Sequence, residues 1–144
     1  ARRALEVSSP TTLDAALAKK EFDFVDEVSA DFPIRVLARL LGVPDSDTGQ
    51  LIEWGNRMVG NTDPEHADVL IGSADSEEFK HVPFRSPAAI EVYEYGKHLA
   101  AERRGKGGTD LVTLLADGEP SDGQKLTEHE FNTNFLLLVV AGNE

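Results

Sequence analysis

The chain has 144 residues, enough for one domain with a real core, and carries 14 basic against 26 acidic side chains for a formal net charge of −12. That imbalance disfavours unassisted binding to nucleic acid or to an anionic membrane surface, because like charges repel. The absence of cysteine removes disulfides, thiolate nucleophiles and thiolate metal ligands from its chemistry. "ARRALEVSSP" has no apolar signal core, and the C-terminal apolar run falls well short of the roughly 20 residues that span a bilayer. A soluble, cytoplasmic protein without stable membrane insertion is the expectation.

Helical spacing dominates, so the predicted fold class is mainly α. Pro10, after Ser8 and Ser9, opens a predicted helix through Lys20 that buries Leu13, Ala16 and Leu17. In "EFDFV", Phe22 and Phe24 alternate with Glu21 and Asp23, the pattern of a short edge strand. A second helix is predicted from Asp26 to Gly42, with Pro33 opening or kinking its main part and Ile34, Leu37, Leu40 and Leu41 forming the buried stripe. In "GVP", Gly42 takes a left-handed cap and Pro44 prevents continuation. A third helix starts near "DSD" and carries Leu51, Trp54, Met58 and Val59 inward until "GNTDP" ends it.

Residues 61 to 86 are polar, acidic and weakly periodic, a long connection of the kind that serves as a lid or binding loop. Another helix follows from Pro87 to Arg104, then the break "GKGG" and a short helix in "DLVTLLAD". The last helix has the clearest start. Thr127 and Glu130 form a capping box, with Leu126 and Phe131 at the flanking staple positions. Residues Phe135 to Ala141 are apolar on every side, so this part is expected to be surrounded by protein.

Few residues announce chemistry by themselves. His66, His81, His98 and His129 are at least fifteen residues apart and form no local ligand pair, so no metal site is predicted. "EHE" at 128 to 130 lacks the second histidine of a zinc-protease motif, and "GKGGT" lacks the spacing of a phosphate-binding loop. Glu144 stands one turn beyond Val140 on an apolar helix, where partial desolvation would raise its pKa toward the range of proton-handling groups. A plain helix cap in "AGNE" remains the competing reading.

"FLLLVVAGNE" resembles the central distal helix of the cytochrome P450 family of haem-thiolate monooxygenases. Ala141, Gly142, Asn143 and Glu144 match the first four positions of its Ala/Gly-Gly-x-Asp/Glu-Thr signature. "PIRVLARLLGVP" resembles the helix before the substrate-covering helices, and "DLVTLLAD" with "KLTEHEF" resembles the lead into the central one. "EWGNRMVGNTDPE" is similar to bacterial members that oxidise sterol side chains or branched lipids.

The resemblance implies one incomplete domain over residues 1–144, an internal fragment of an oxygen-inserting haem enzyme. It places Ala141 and Gly142 over the distal haem face and makes Glu144 the acid of a proton relay whose alcohol is not in this chain. Leu137 and Leu138 share that haem- or substrate-facing side, with ordinary core packing equally open, and Met58 and Val59 belong to the first covering helix. It also implies haem in the full-length parent but not stably bound to the fragment, an apolar lipid or steroid substrate, and a ferredoxin-type redox partner. The fragment itself is expected to be inactive. The alternative from another class is a small acidic helical interaction module without catalysis.

Overall fold

The computed structural model describes residues 14–29, 32–118 and 123–142. Five α-helices form its body: α1 (Phe32–Leu41), α2 (Thr48–Val59), α3 (Pro87–Arg103), α4 (Leu111–Asp117) and α5 (Glu128–Ala141). A π-helical turn, Val25–Ser29, precedes α1, and 3-10 turns occupy Asp45–Asp47, Ala74–Glu77 and Pro83–Arg85. α3 is the hub, lying against α2, α4 and α5, while α1 packs on α2 and α4. Ile34, Leu41, Leu51, Met58, Val92, Val112, Phe135 and Val139 are fully enclosed where these helices meet.

The helix boundaries follow local chemistry. Pro33 sits in the first turn of α1, where its missing N–H costs nothing, so it opens this helix and does not kink it. Gly42 ends α1 with φ of 74°, and Val43 N–H reaches back to the Ala38 carbonyl at 2.8 Å. Ser86 Oγ accepts from Ala88 N–H at the start of α3, and Asp110 Oδ1 accepts from Thr113 N–H at the start of α4. In α5 the capping box closes both ways: Thr127 N–H donates to Glu130 Oε2 at 2.8 Å, and Glu130 N–H donates to Thr127 Oγ1 at 3.3 Å.

Several expectations about the N-terminal part need correction. Residues 14–17 are helical, but Leu17 is 70% exposed and only Ala16 of that turn is buried; Leu13 lies outside the described residues. "EFDFV" forms no strand, and Phe22 and Phe24 are exposed. Alternation alone cannot make a strand, because its backbone N–H and C=O groups need a neighbouring strand. Of the single helix expected from Asp26 to Gly42, the described residues form a π-helical turn at Val25–Ser29 and α1 at Phe32–Leu41, and residues 30 and 31 lie outside the described residues.

α3 and α5 approach closely at Gly96. A Cβ there would lie 2.8 Å from Cδ1 of Phe135, whose ring is fully buried, stacks on Phe131 at 6.2 Å and faces Tyr95 at 6.3 Å. Alanine at position 96 would improve helix propensity by about 1 kcal/mol. Crowding a locked aromatic ring costs about 1–3 kcal/mol, so the steric term wins. Gly96→Ala is therefore expected to destabilise the chain by about 1 kcal/mol in urea denaturation. A raised denaturation midpoint would show that Phe135 can yield freely.

Candidate functional site

α5 is covered on one side only. Phe131, Asn132, Phe135, Leu136 and Val139 are buried, whereas Asn134 and Ala141 are exposed and Leu137 is 54% exposed. Asn134, Leu137 and Ala141 fall at spacings of three and four, which places them on one helix face. This corrects the expectation that the run from Phe135 to Ala141 is surrounded: within the described residues, this chain encloses about half of it. The uncovered face is apolar and small toward its C-terminal end.

Leu137 and Leu138 therefore part company. Leu137 shares the open face with Ala141, while Leu138 is half-buried against the core. Gly142, four residues after Leu138, is packed against α1, since a Cβ on it would meet Leu37 Cδ2 at 2.1 Å. Gly142 thus brings the end of α5 against α1, and Ala141 occupies the open face. Met58 is fully buried in the core, and Val59, expected to point inward, is 44% exposed at the end of α2. The two adjacent residues point to different surroundings, as helix geometry requires of neighbours 100° apart. Asn143 and Glu144 lie outside the described residues.

A polar cluster not singled out from the sequence surrounds the far end of α2. Arg57 Nε donates to Asp68 Oδ2 at 2.7 Å, Nη1 donates to Glu91 Oε2 at 3.0 Å, and Nη2 donates to Glu91 Oε1 at 2.6 Å. Trp54 Nε1 adds a bond to Glu91 Oε2 at 2.8 Å. Spacing could have suggested one link, since Glu53 lies four residues before Arg57 and approaches it at 3.7 Å. Nothing local pointed to Asp68 or Glu91. At the start of α2, Tyr95 donates its hydroxyl to Asp47 Oδ2 at 2.7 Å, and its ring packs 5.2 Å from Trp54.

These contacts lower the affinity of three carboxylates for protons. The hydrogen bonds from Arg57 hold Glu91 below its ordinary value against the effect of burial, with Trp54 assisting. The Tyr95 hydroxyl does the same for Asp47, and the phenol is pushed upward, chiefly by burial and then by that carboxylate. At Asp110 burial works to raise the pKa, but backbone and side-chain bonds from Thr113 and the charge of Arg103 outweigh it. An unfolded chain binds more protons than the folded one wherever folded pKa values are depressed. Stability is therefore expected to be level above about pH 5 and to fall as acid passes the ordinary carboxylate value near 4 toward the lower folded values. Thermal denaturation between pH 6 and 3 checks this; a melting temperature that rises on acidification would contradict it.

The described residues include no group of three or more His, Asp or Glu side chains placed to hold a metal ion. No described helix is long and apolar enough to cross a membrane.

The fold and the sequence match known proteins over nearly the whole chain. A Bacillus subtilis cytochrome P450, PksS of the bacillaene polyketide synthase, superposes with a TM-score of 0.74 at 27% identity, covering 99% of this chain and 32% of that one. A Mycobacterium marinum cytochrome P450 solved with pseudoionone gives 0.73 at 27% identity over 98% of this chain and 32% of its own. The steroid C26-monooxygenase of Mycobacterium tuberculosis is 37% identical over 129 residues, 90% of this chain and 26% of that protein. The methyl-branched lipid omega-hydroxylase of the same species is 31% identical over 125 residues, 87% of this chain and 26% of its length. No protein-family model matches. The chain belongs to the cytochrome P450 family. It spans about a quarter of the length of these curated relatives and about a third of the solved structures.

Proposed function

We propose that the chain is the central distal segment of a bacterial, cytoplasmic cytochrome P450 that hydroxylates an unactivated C–H bond of an apolar lipid or steroid. The observation that carries this reading is the uncovered face with Leu137 and Ala141 on the apolar C-terminal half of α5, where the helix runs into the "AGNE" signature that Ala141 begins. An apolar helix that its own chain covers on one side needs another apolar body against the other. A haem with its substrate would supply such a body, and the small side chain of Ala141 would leave room for it. The haem, when bound, supplies the activation of dioxygen.

The chain's own residues then have distinct tasks. Leu137 and Ala141 present apolar surface to haem and substrate and exclude water from it. Gly142 lets α5 approach α1 closely, which fixes the end of α5 that carries Ala141. Glu144 holds and passes a proton, with its alcohol partner following in the parent protein. Val59, partly exposed at the end of α2, fits a substrate-facing role better than Met58, which the core encloses. No cysteine is present, so in this reading the haem's thiolate ligand would come from another part of the parent, which would take its electrons from a ferredoxin-type donor.

The test is to express the full-length protein that contains this segment and record its reduced, carbon monoxide-bound spectrum and its products with steroid and methyl-branched lipid substrates. A thiolate-ligated haem band and products heavier by one oxygen atom are expected. Leu137→Phe is expected to weaken substrate binding about ten-fold by overfilling the apolar face, read from the substrate-induced haem spectrum. A protein that takes up no haem, or that oxidises none of these substrates, overturns the reading. The 144-residue segment alone is expected to give no thiolate-ligated haem spectrum.

A further inference from the structure

The C-terminal half of α3 and the start of α5 enclose a groove of about 380 Å³, at the lower end of the ~300–1,000 Å³ usual for small-molecule sites. One wall is a stripe along α3: Lys97, Ala100, Ala101 and Arg104, at spacings of three and four, share a helix face. Two alanines between two long cations leave a trough there, with Lys97 and Arg104 about 10 Å apart along the helix axis. The facing wall is Leu126 and Phe131, the apolar residues that flank the capping box of α5. Phe131 is buried and Leu126 half-buried, so they give the trough an apolar side, while Ala101 is exposed and leaves it open to solvent.

The two cations differ in what they hold. Lys97 Nζ is committed, pairing with Glu94 at 3.0 Å and with Glu128, which lines the same groove, at 3.1 Å. The Arg104 guanidinium has no hydrogen bond or ion pair among the described residues. Its neighbours are engaged elsewhere, Arg103 with Asp110 at 2.9 Å and Glu102 with His98 at 3.2 Å. A cation left without a carboxylate in a chain of 26 acidic and 14 basic side chains, at the edge of an apolar trough, is matched to an anion that brings its own apolar body. Arginine's planar fork takes a carboxylate through two parallel N–H donors, a pairing about twice as strong as a neutral hydrogen bond. The net charge of −12 and the Glu128 carboxylate in the groove both repel multiply charged anions, so a monoanion fits better than a phosphate.

We propose that this groove binds a small amphiphilic monocarboxylate, its carboxylate on Arg104 and its hydrocarbon body over Ala100 and Ala101 against Leu126 and Phe131. The site is separate from the open face of α5: Phe131 and Ala141 are ten residues apart, about 15 Å along the helix axis. It requires neither haem nor the hydroxylated substrate, so it stands or falls apart from the oxygenase reading.

The experiment titrates octanoate into the full-length protein that contains this segment and follows the amide resonances of residues 97–104 and 126–131. Octanoate is expected to shift them saturably, whereas 1-octanol and acetate, which carry only the body or only the charge, bind about ten-fold more weakly or worse. Arg104→Gln and Ala101→Leu are each expected to weaken octanoate about ten-fold, the first by removing the charge and the second by filling the trough. Both positions are exposed, so the melting temperature is expected to stay unchanged and the loss to be one of binding alone. Resonances that do not move, shifts confined to residues 137–141, or an affinity that Arg104→Gln leaves unchanged would each overturn the proposal. So would inorganic phosphate or 1-octanol binding there as tightly as octanoate.

Discussion

Glu144→Gln in the full-length enzyme is expected to lower turnover about 100-fold, with substrate affinity kept within about two-fold. The amide keeps the size and much of the polarity of the side chain but has no proton to exchange in the useful range. Proton transfer by a positioned side chain contributes roughly 10²–10⁴ in rate, and 100-fold corresponds to about 2.7 kcal/mol of barrier. In the proposed reading Glu144 serves the proton path, whereas Leu137 and Ala141 make the apolar contact with substrate. Glu144→Asp retains a carboxyl on a shorter stem and is expected to recover part of the loss. Steady-state turnover and substrate titration separate the two effects. Turnover within about three-fold of the parent enzyme in Glu144→Gln would remove Glu144 from the relay.

Gly42→Ala is expected to destabilise the chain by about 3 kcal/mol, a large share of the 5–15 kcal/mol that stabilises a typical domain. Two costs add. At φ of 74° any residue with a Cβ is strained, by roughly 1–2 kcal/mol. The new methyl would also lie 2.2 Å from Nη1 of Arg103 and 2.8 Å from Cβ of Asp110. Arg103 cannot simply move aside. It donates through Nη2 to the Gly42 carbonyl and pairs through Nη1 with Asp110 at 2.9 Å, so one guanidinium ties the end of α1 to the start of α4 from the end of α3. Displacing it costs a further 1–3 kcal/mol or so for partly buried charged groups left unpaired. Urea denaturation of the chain reads the sum. A loss below about 1 kcal/mol would show that Arg103 moves without penalty, and Arg103→Ala measured alongside separates strain from displaced bonds.

Both predictions concern features that the sequence exposed unequally. Gly42 as a left-handed cap was readable, because a glycine followed by Val43 and Pro44 at the end of an apolar stripe leaves little else for the backbone to do. Its crowding by Arg103 was not, since that residue lies 61 positions away. The capping box at Thr127 and the order of helices were readable for the same reason: their determinants lie within four residues of one another. The family signature was readable as a string of side-chain types.

The errors arose where local pattern met distant partners. Phe22 and Phe24 alternate as a strand does, but no neighbouring strand is present among the described residues to accept their ladder. Val59 and Leu17 are apolar and lie at plausible helical positions, yet nothing among the described residues packs over them closely enough to bury them. Nothing within a few residues linked Arg57 to Asp68 or Glu91; the folding of the connection and the return of α3 alongside α2 brought them together.

By itself, the sequence determined the helical class, the end of α1, the start of α5, and the family, because periodicity, caps and a short signature are encoded within a few turns. The tertiary structure decided which side of α5 stays open, that Ala141 lies on it while Gly142 is pressed against Leu37, and which carboxylates Arg57 holds. Those choices depend on side-chain volume and charge meeting across tens of residues, and a helix that is apolar all round carries no mark of which face its own chain will cover.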